Sequence, residues 1–331
     1  MKYFPRAAAL LLAAAALAAA PASHAQKKRV SQKGAASQQA GPPYSSREEV
    51  MRFAEDVAQR RDLDPAWVRQ AVGNARLLPL AARLMQPAPA GTPKNWRVYR
   101  SRFIDPIRIA AGVRFWQENR QVLERAEAAY GVPAEMIVGI IGVETIYGQQ
   151  MGTFRVIDAL ATLAFDFPQS HPRAKERAEF FRGELEQFLT LQSRTGGDPS
   201  VPVGSYAGAM GMPQFMPSSW NKYAVDFDGD GRIDLAGSAA DSIGSVANYF
   251  KAFGWQTGMP THYAVALDGT PQDKEALLVP DILPTFSVAS FTAKGAVGPG
   301  PPRAPHGPRP RGGRPNGPAP PRCGAGTAHV E

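Results

Sequence analysis

Three observations predict a mainly α-helical fold. Apolar residues recur at intervals of three and four in one segment after another between residues 46 and 253. Signals that start a helix, a Pro or a short polar residue ahead of the apolar run, precede several of these segments. No convincing alternation of apolar and polar residues appears before residue 260, so strands are not expected to build the body.

The chain opens MKYFPRAAALLLAAAALAAAPASHAQ, with Lys2 and Arg6 ahead of an Ala/Leu run and small residues at Ser23 and Ala25. This pattern reads as residues 1–25 forming a secretory signal peptide, cut near Ala25. It implies export to the periplasm of a Gram-negative cell, with no membrane span in the mature chain. Residues 26–45 read as a polar, flexible linker.

The formal charge of +8 is carried by appendages: the leader, Lys27 to Lys33, and the arginines from Arg303 to Arg322. The body between is slightly acidic and carries no groove-reading motif, which argues against nucleic acid as a partner. Cys323 is the only cysteine, so no intrachain disulfide can form and stability must come from packing.

In the body, Ser46 and Glu49 offer a capping box ahead of Val50, Met51, Phe53, Ala54 and Val57. Asp64-Pro65 starts a second helix carrying Trp67, Val68 and Val72, and Pro- and Gly-rich loops follow to Pro93. From Trp96 to Tyr130 the helical pattern runs through Ile107, Ile109, Val113, Phe115, Leu123 and Ala126. Glu118, Glu124 and Glu127 in that stretch read as solvated face.

The segment VPAEMIVGIIGVETIYGQQMG, residues 132–152, reads as a helix from Pro133 toward Gly148. It is apolar on nearly every face and carries Glu144 near its far end. Desolvation there raises a carboxyl pKa, as a general acid requires. The alternative is a buried Glu satisfied by a neighbouring donor. Two further helices follow, RVIDALATLAF and RAEFFRGELEQFLTL.

Residues 204–220, GSYAGAMGMPQFMPSSW, combine small residues that let a backbone approach a ligand with Ser205, Tyr206, Gln214 and Phe215. Sugars need such a mixture of stacking faces and amides, although a Gly/Ala-rich turn packed between helices explains it nearly as well. Next to it, Asp226, Asp228 and Asp230, with Gly231, match the first half of an EF-hand loop. Position 12 of that loop is Gly237, and Asp241 can close a longer one. Three clustered aspartates repel one another without a cation, so a structural calcium is expected. Tyr249, one helical turn after Ser245, reads equally as core aromatic or as site wall.

These stretches, in this order and spacing, resemble the membrane-bound lytic transglycosylase B family over roughly residues 45–295. The resemblance implies a lysozyme-like catalytic core over 131–295, beside an additional helical domain over 46–130. An EF-hand-like calcium loop at 226–241 is inserted in the core. It implies non-hydrolytic cleavage of the β-1,4 bond between N-acetylmuramic acid and N-acetylglucosamine in peptidoglycan, leaving 1,6-anhydromuramoyl ends. The family's acid/base falls on Glu144 and its glycan-binding residues on Ser205, Gln214 and Tyr249. A substrate-contacting arginine falls on Arg177. The calcium ligands fall on Asp226, Asp228, Asp230 and Asp241, with the Arg232 carbonyl between. The metal is not required for the chemistry.

Residues 296–331 depart from the family. They are dominated by Pro and Gly, cannot build a packed core, and read as a shifted reading frame or a disordered tail. That loss motivates one alternative, a non-catalytic peptidoglycan-binding scaffold; a hydrolytic muramidase, giving reducing ends, is a separate one.

Overall fold

The computed structural model describes residues 40–87, 95–278 and 285–298; the leader, most of the linker and the tail beyond 298 lie outside them. The described residues fall into two compact units, 40–257 and 258–298.

The larger unit is almost wholly helical, as expected. Its first helices are α1 (Glu48–Arg61), α2 (Pro65–Gly73), α3 (Pro79–Leu84), α4 (Trp96–Ser101), α5 (Pro106–Glu118) and α6 (Arg120–Tyr130). Then come α7 (Ala134–Thr145), α8 (Val156–Phe165), α9 (Ala174–Thr195), α10 (Pro217–Tyr223) and α11 (Ala239–Ala252). A two-residue antiparallel pair, β1 (Phe154–Arg155) with β2 (Val203–Gly204), is the strand structure of this unit among the described residues.

Helix starts follow the local chemistry closely at some places. Asp64 caps α2 by accepting from the Ala66 and Trp67 N–H groups, and Asp105 caps α5 in the same way. At α1 the expected capping box does not form. Ser46 lies in a 3₁₀ turn, Tyr44–Ser46, and Arg47 becomes the N-cap without a side-chain bond. The reason is tertiary: the Arg47 guanidinium grips both oxygens of Asp166, and the Tyr44 hydroxyl donates to Asp166 at 2.5 Å. Tyr44 is fully buried, so packed structure begins before the expected end of the linker at residue 45.

Packing does not divide at residue 130. One core joins α1 and α2 to α8 and α9, with Val57, Val72, Leu160, Leu185 and Phe188 inside. A second joins α5, α6, α7 and α11 through Phe115, Leu123, Ile137, Ile141 and Val246. Helices distant in sequence therefore share each core, and the expected 46–130 domain is split between the two. Ile107, Ile109 and Val113, expected to be apolar core of α5, are exposed. The packed face of α5 is set instead by Ala111, Gly112 and Phe115. Gly112 is required there, because an added Cβ would stand 2.4 Å from the Tyr147 hydroxyl.

The smaller unit contains β3 (Ala266–Leu267), α12 (Pro271–Leu278), α13 (Val288–Ala293) and β4 (Ala296–Val297). β4 pairs antiparallel with β3, and Ala296 is buried. The expected boundary of the tail at 296 therefore moves outward: residues 296 and 297 still belong to the folded chain. Among the described residues no single helix is long and apolar enough to cross a membrane.

Candidate active site

Helix α7 stops earlier than Gly148. Its last residue is Thr145, and Ile146 and Tyr147 follow with φ of 51° and 57° before Gly148 at 83°. Three successive left-handed residues, two of them with side chains, turn the chain sharply immediately after Glu144. Tyr147 then folds back so that its ring lies 4.9 Å from that of Phe115.

Glu144 sits in the final turn of α7, half-buried. No hydrogen bond or ion pair among the described residues reaches its carboxyl. Burial alone pushes its pKa up, to about 7. Two other carboxyls are raised by burial, Asp158 and Glu184, and both are anchored. Asp158 accepts from the Arg76 N–H at 2.9 Å, and Glu184 accepts from the Ser218 N–H and hydroxyl at 2.9 and 2.6 Å. Glu144 is thus distinguished by what it lacks: among the described residues no neighbouring donor satisfies it.

The small-residue segment lies along the chain that leaves Glu144. Met212 is beside Thr145 and Gly148, Gln214 reaches Met151, and Gly204 touches Gly152. Within the segment, the Ser205 Oγ accepts from the Ala207 and Ala209 N–H groups at 3.3 and 3.0 Å, which leaves its own hydrogen to donate outward. Met210 and Phe215 exchange two backbone bonds of 2.9 Å across a tight turn, with Gly211 at φ 73° and Gln214 at φ 51°. The Gln214 Nε2 donates to the Met151 and Gly211 carbonyls, so its Oε1 is the atom left for a ligand.

Tyr249, on α11, joins this assembly through aromatic contact: its ring lies 5.5 Å from Phe215, 5.2 Å from Tyr223 and 4.5 Å from Phe253. Burial raises its pKa to about 12, so the hydroxyl is a neutral donor at any physiological pH. Tyr206 is half-buried against the first core and the Leu78 cluster. Arg177, on α9, has a buried Nε without a partner, and burial followed by the nearby Arg173 lowers its pKa.

The acidic loop gathers three carboxylates. Carboxylate oxygens of Asp226, Asp228 and Asp230 lie within 4.8 Å of one another. The loop backbone is already wrapped round them: Asp226 accepts from the Gly229 and Gly231 N–H groups, Asp228 from Asp230, and Asp230 from Arg232. An all-oxygen donor set of this kind fits calcium. Asp241 behaves differently from its expected place among the ligands. Fully buried, it accepts from the Phe227 and Asp234 N–H groups at 2.8 Å each and clamps the loop onto α11.

The sequence reading missed Thr145 and the backbone of Met212 and Leu235, which tie these pieces together. Nothing in residue type signals a backbone carbonyl.

The fold and this site define a class. Residues 45–297 match the family described as Transglycosylase SLT domain, and the chain belongs to that family. Within it, the chain is 43% identical over 228 residues to the membrane-bound lytic murein transglycosylase B of Escherichia coli K12, covering 66% of this chain. The chain spans about three fifths of that relative's length, the match covering 61% of it. The catenated lytic transglycosylase SltB1 of Pseudomonas aeruginosa superposes with a TM-score of 0.70 at 41% identity, covering 77% of this chain and 81% of that one. The Escherichia coli lytic transglycosylase Slt35, solved in complex with calcium, gives 0.66 at 41% identity, with 80% of each covered. The mainly α fold with a lysozyme-like core, expected from the sequence, is the fold found.

Proposed function

We propose that this chain is a peptidoglycan lytic transglycosylase, cleaving the β-1,4 bond between N-acetylmuramic acid and N-acetylglucosamine without water. The observation that carries this reading is Glu144: half-buried at the end of an apolar helix, without a hydrogen-bond partner among the described residues, with a pKa raised to about 7. A carboxyl in that state holds a proton at neutral pH and gives it to the glycosidic oxygen.

Ordinary glycosidases need a second carboxylate as nucleophile or base. Here the other buried carboxyls, Asp158, Glu184 and Asp241, are bound to backbone donors, and Asp226, Asp228 and Asp230 are gathered in the acidic loop. Glu144 therefore acts twice. After protonating the leaving oxygen it takes the proton of the muramic acid 6-hydroxyl, which attacks C1 from within the same sugar. Tethering supplies the effective concentration that a bound water would otherwise provide. The product is a 1,6-anhydromuramoyl end.

The Ser205 hydroxyl, the Gln214 Oε1, Tyr206, Tyr249 and Arg177 bind the glycan strand. The aromatic group round Tyr249 offers a stacking face, and Ser205 and Gln214 offer hydrogen-bonding atoms. Calcium is held by Asp226, Asp228 and Asp230 with the Arg232 carbonyl, and Asp241 closes the loop behind them. When bound it neutralises the clustered charge and stabilises the loop. The acid/base step belongs to Glu144. Export to the periplasm puts the chain beside its polymer.

Mass analysis of products from purified peptidoglycan tests the proposal. Muropeptides lighter by one water than hydrolysis products are expected. Reducing-end products would identify a hydrolase, and binding to the sacculus without products would identify a scaffold.

A further inference from the structure

We propose that Thr145 is a positioning residue that fixes Glu144 against the glycan-binding segment. The proposal rests on Glu144 being the acid. Thr145 is fully buried, and its hydroxyl makes three contacts at once. It donates to the Met212 carbonyl at 2.8 Å, accepts from the Gly148 N–H at 3.0 Å, and lies 3.3 Å from the Ile141 carbonyl of its own helix.

Each contact constrains a different piece. The Ile146 and Tyr147 N–H groups donate back to the Gly142 and Ile141 carbonyls at 3.2 and 3.3 Å, and the bond from Gly148 closes the left-handed turn from its other end. The bond to Met212 ties the last turn of α7, one residue from Glu144, to the segment that carries Ser205 and Gln214. Met212 is itself fixed from its other side, because its N–H donates to the Leu235 carbonyl at 2.7 Å. Leu235 O also accepts from the Ser242 hydroxyl of α11 at 3.1 Å. A continuous path of bonds therefore runs from the residue after Glu144, through the glycan segment and the acidic loop, to the helix bearing Tyr249. Gly211 marks how closely this path is packed: a Cβ there would stand 2.7 Å from Leu235 O.

A hydroxyl in this position is hard to replace. A methyl group of the same size fills the space but takes the hydrogen-bond partner from the partly buried Met212 carbonyl and Gly148 N–H. Relaxation of those groups moves the end of α7, and displacement of an acid by about 1 Å costs on the order of 100-fold in rate. The other charged and titratable groups at this end of α7 are Arg108, whose Nε donates to the Gly142 carbonyl at 2.8 Å, and Tyr147. Neither of them bonds to the Thr145 hydroxyl.

The test compares Thr145→Val with Thr145→Ser in the full chain. Two quantities are read: turnover of purified peptidoglycan, and titration of Glu144 by carboxyl NMR. Thr145→Val is expected to lower kcat about 10- to 100-fold, with KM changed less than about threefold. Its Glu144 pKa is expected to fall as water reaches the loosened helix end. Thr145→Ser keeps the oxygen and restores both values. Unchanged kcat and an unchanged Glu144 titration in Thr145→Val would overturn the proposal, as would failure of Ser to rescue. Should Val prevent folding, Thr145→Ala, which leaves room for a bridging water, is read in its place. If the wild-type chain makes no anhydro products, the functional reading fails, and the Glu144 titration alone decides the role of Thr145.

Discussion

Gln214 donates its side-chain amide to the Met151 carbonyl at 3.2 Å while its own backbone holds φ of 51°. A residue expected to bind glycan therefore also anchors the segment on which it stands, with its Nε2 committed inward and its Oε1 remaining. Gln214→Glu removes both donors from buried carbonyls and should destabilise the chain by about 1–3 kcal/mol. Thermal unfolding measures this, and an unchanged Tm would contradict the anchoring role.

Glu144→Gln is expected to abolish turnover and to leave glycan binding intact, since the amide keeps the shape and loses the transferable proton. Product mass and sacculus co-sedimentation read the two effects separately. Residual turnover within tenfold of wild type would remove Glu144 from its role.

The raised pKa of Glu144 fixes a sign for pH. With Glu144 as the proposed acid, turnover needs its protonated form and should hold below about pH 7 and decline above it. Stability runs in the same direction. The folded state binds the Glu144 proton more tightly than the unfolded chain, so stability is full below about pH 4.5 and diminishes as pH rises through about 7. Glu144→Gln lacks that penalty and should be more stable than wild type at pH 8 by about 1–2 kcal/mol, and equal to it at pH 4. Melting curves at both values check this.

Glu184 provides the contrasting case. Burial raises its pKa as it does that of Glu144, yet it caps α10 through Ser218. Glu184→Ala should lower stability by about 1–3 kcal/mol through the loss of that cap, with kcat preserved in the folded fraction. A large loss of kcat in folded protein would make Glu184 part of the chemistry.

Calcium at ~100 times its dissociation constant should stabilise the chain by about 2.7 kcal/mol. Asp226→Asn with Asp230→Asn should remove that response without changing kcat at a temperature where the variant is folded. Titration by calorimetry and melting with and without chelator read it directly.

Much of this could be read from the chain itself. The helices of the body were visible because burial of one face leaves a period of three to four in the sequence, and Asp64-Pro65 wrote the start of α2 locally. Glu144 stood out because a single ionisable group on an apolar helix is conspicuous, and Asp226, Asp228 and Asp230 because a cation loop is contiguous. The sequence could not show that Ile107 and Val113 face outward while Gly112 faces in, because α5 packs by its smallest residue to receive Tyr147. Nor could it tell that Ser46 would lose its capping box to the pairing of Arg47 with Asp166, 119 residues away.

Residue types and their local spacing determined the helices, the lone Glu144 on its apolar helix and the cluster of three aspartates. The division into two cores, the absence of a partner for Glu144 among the described residues, the inward turn of Asp241 and the bond from Thr145 to Met212 were decided in three dimensions. Each depends on a backbone group or an empty space contributed by a distant segment, and neither has a letter in the sequence.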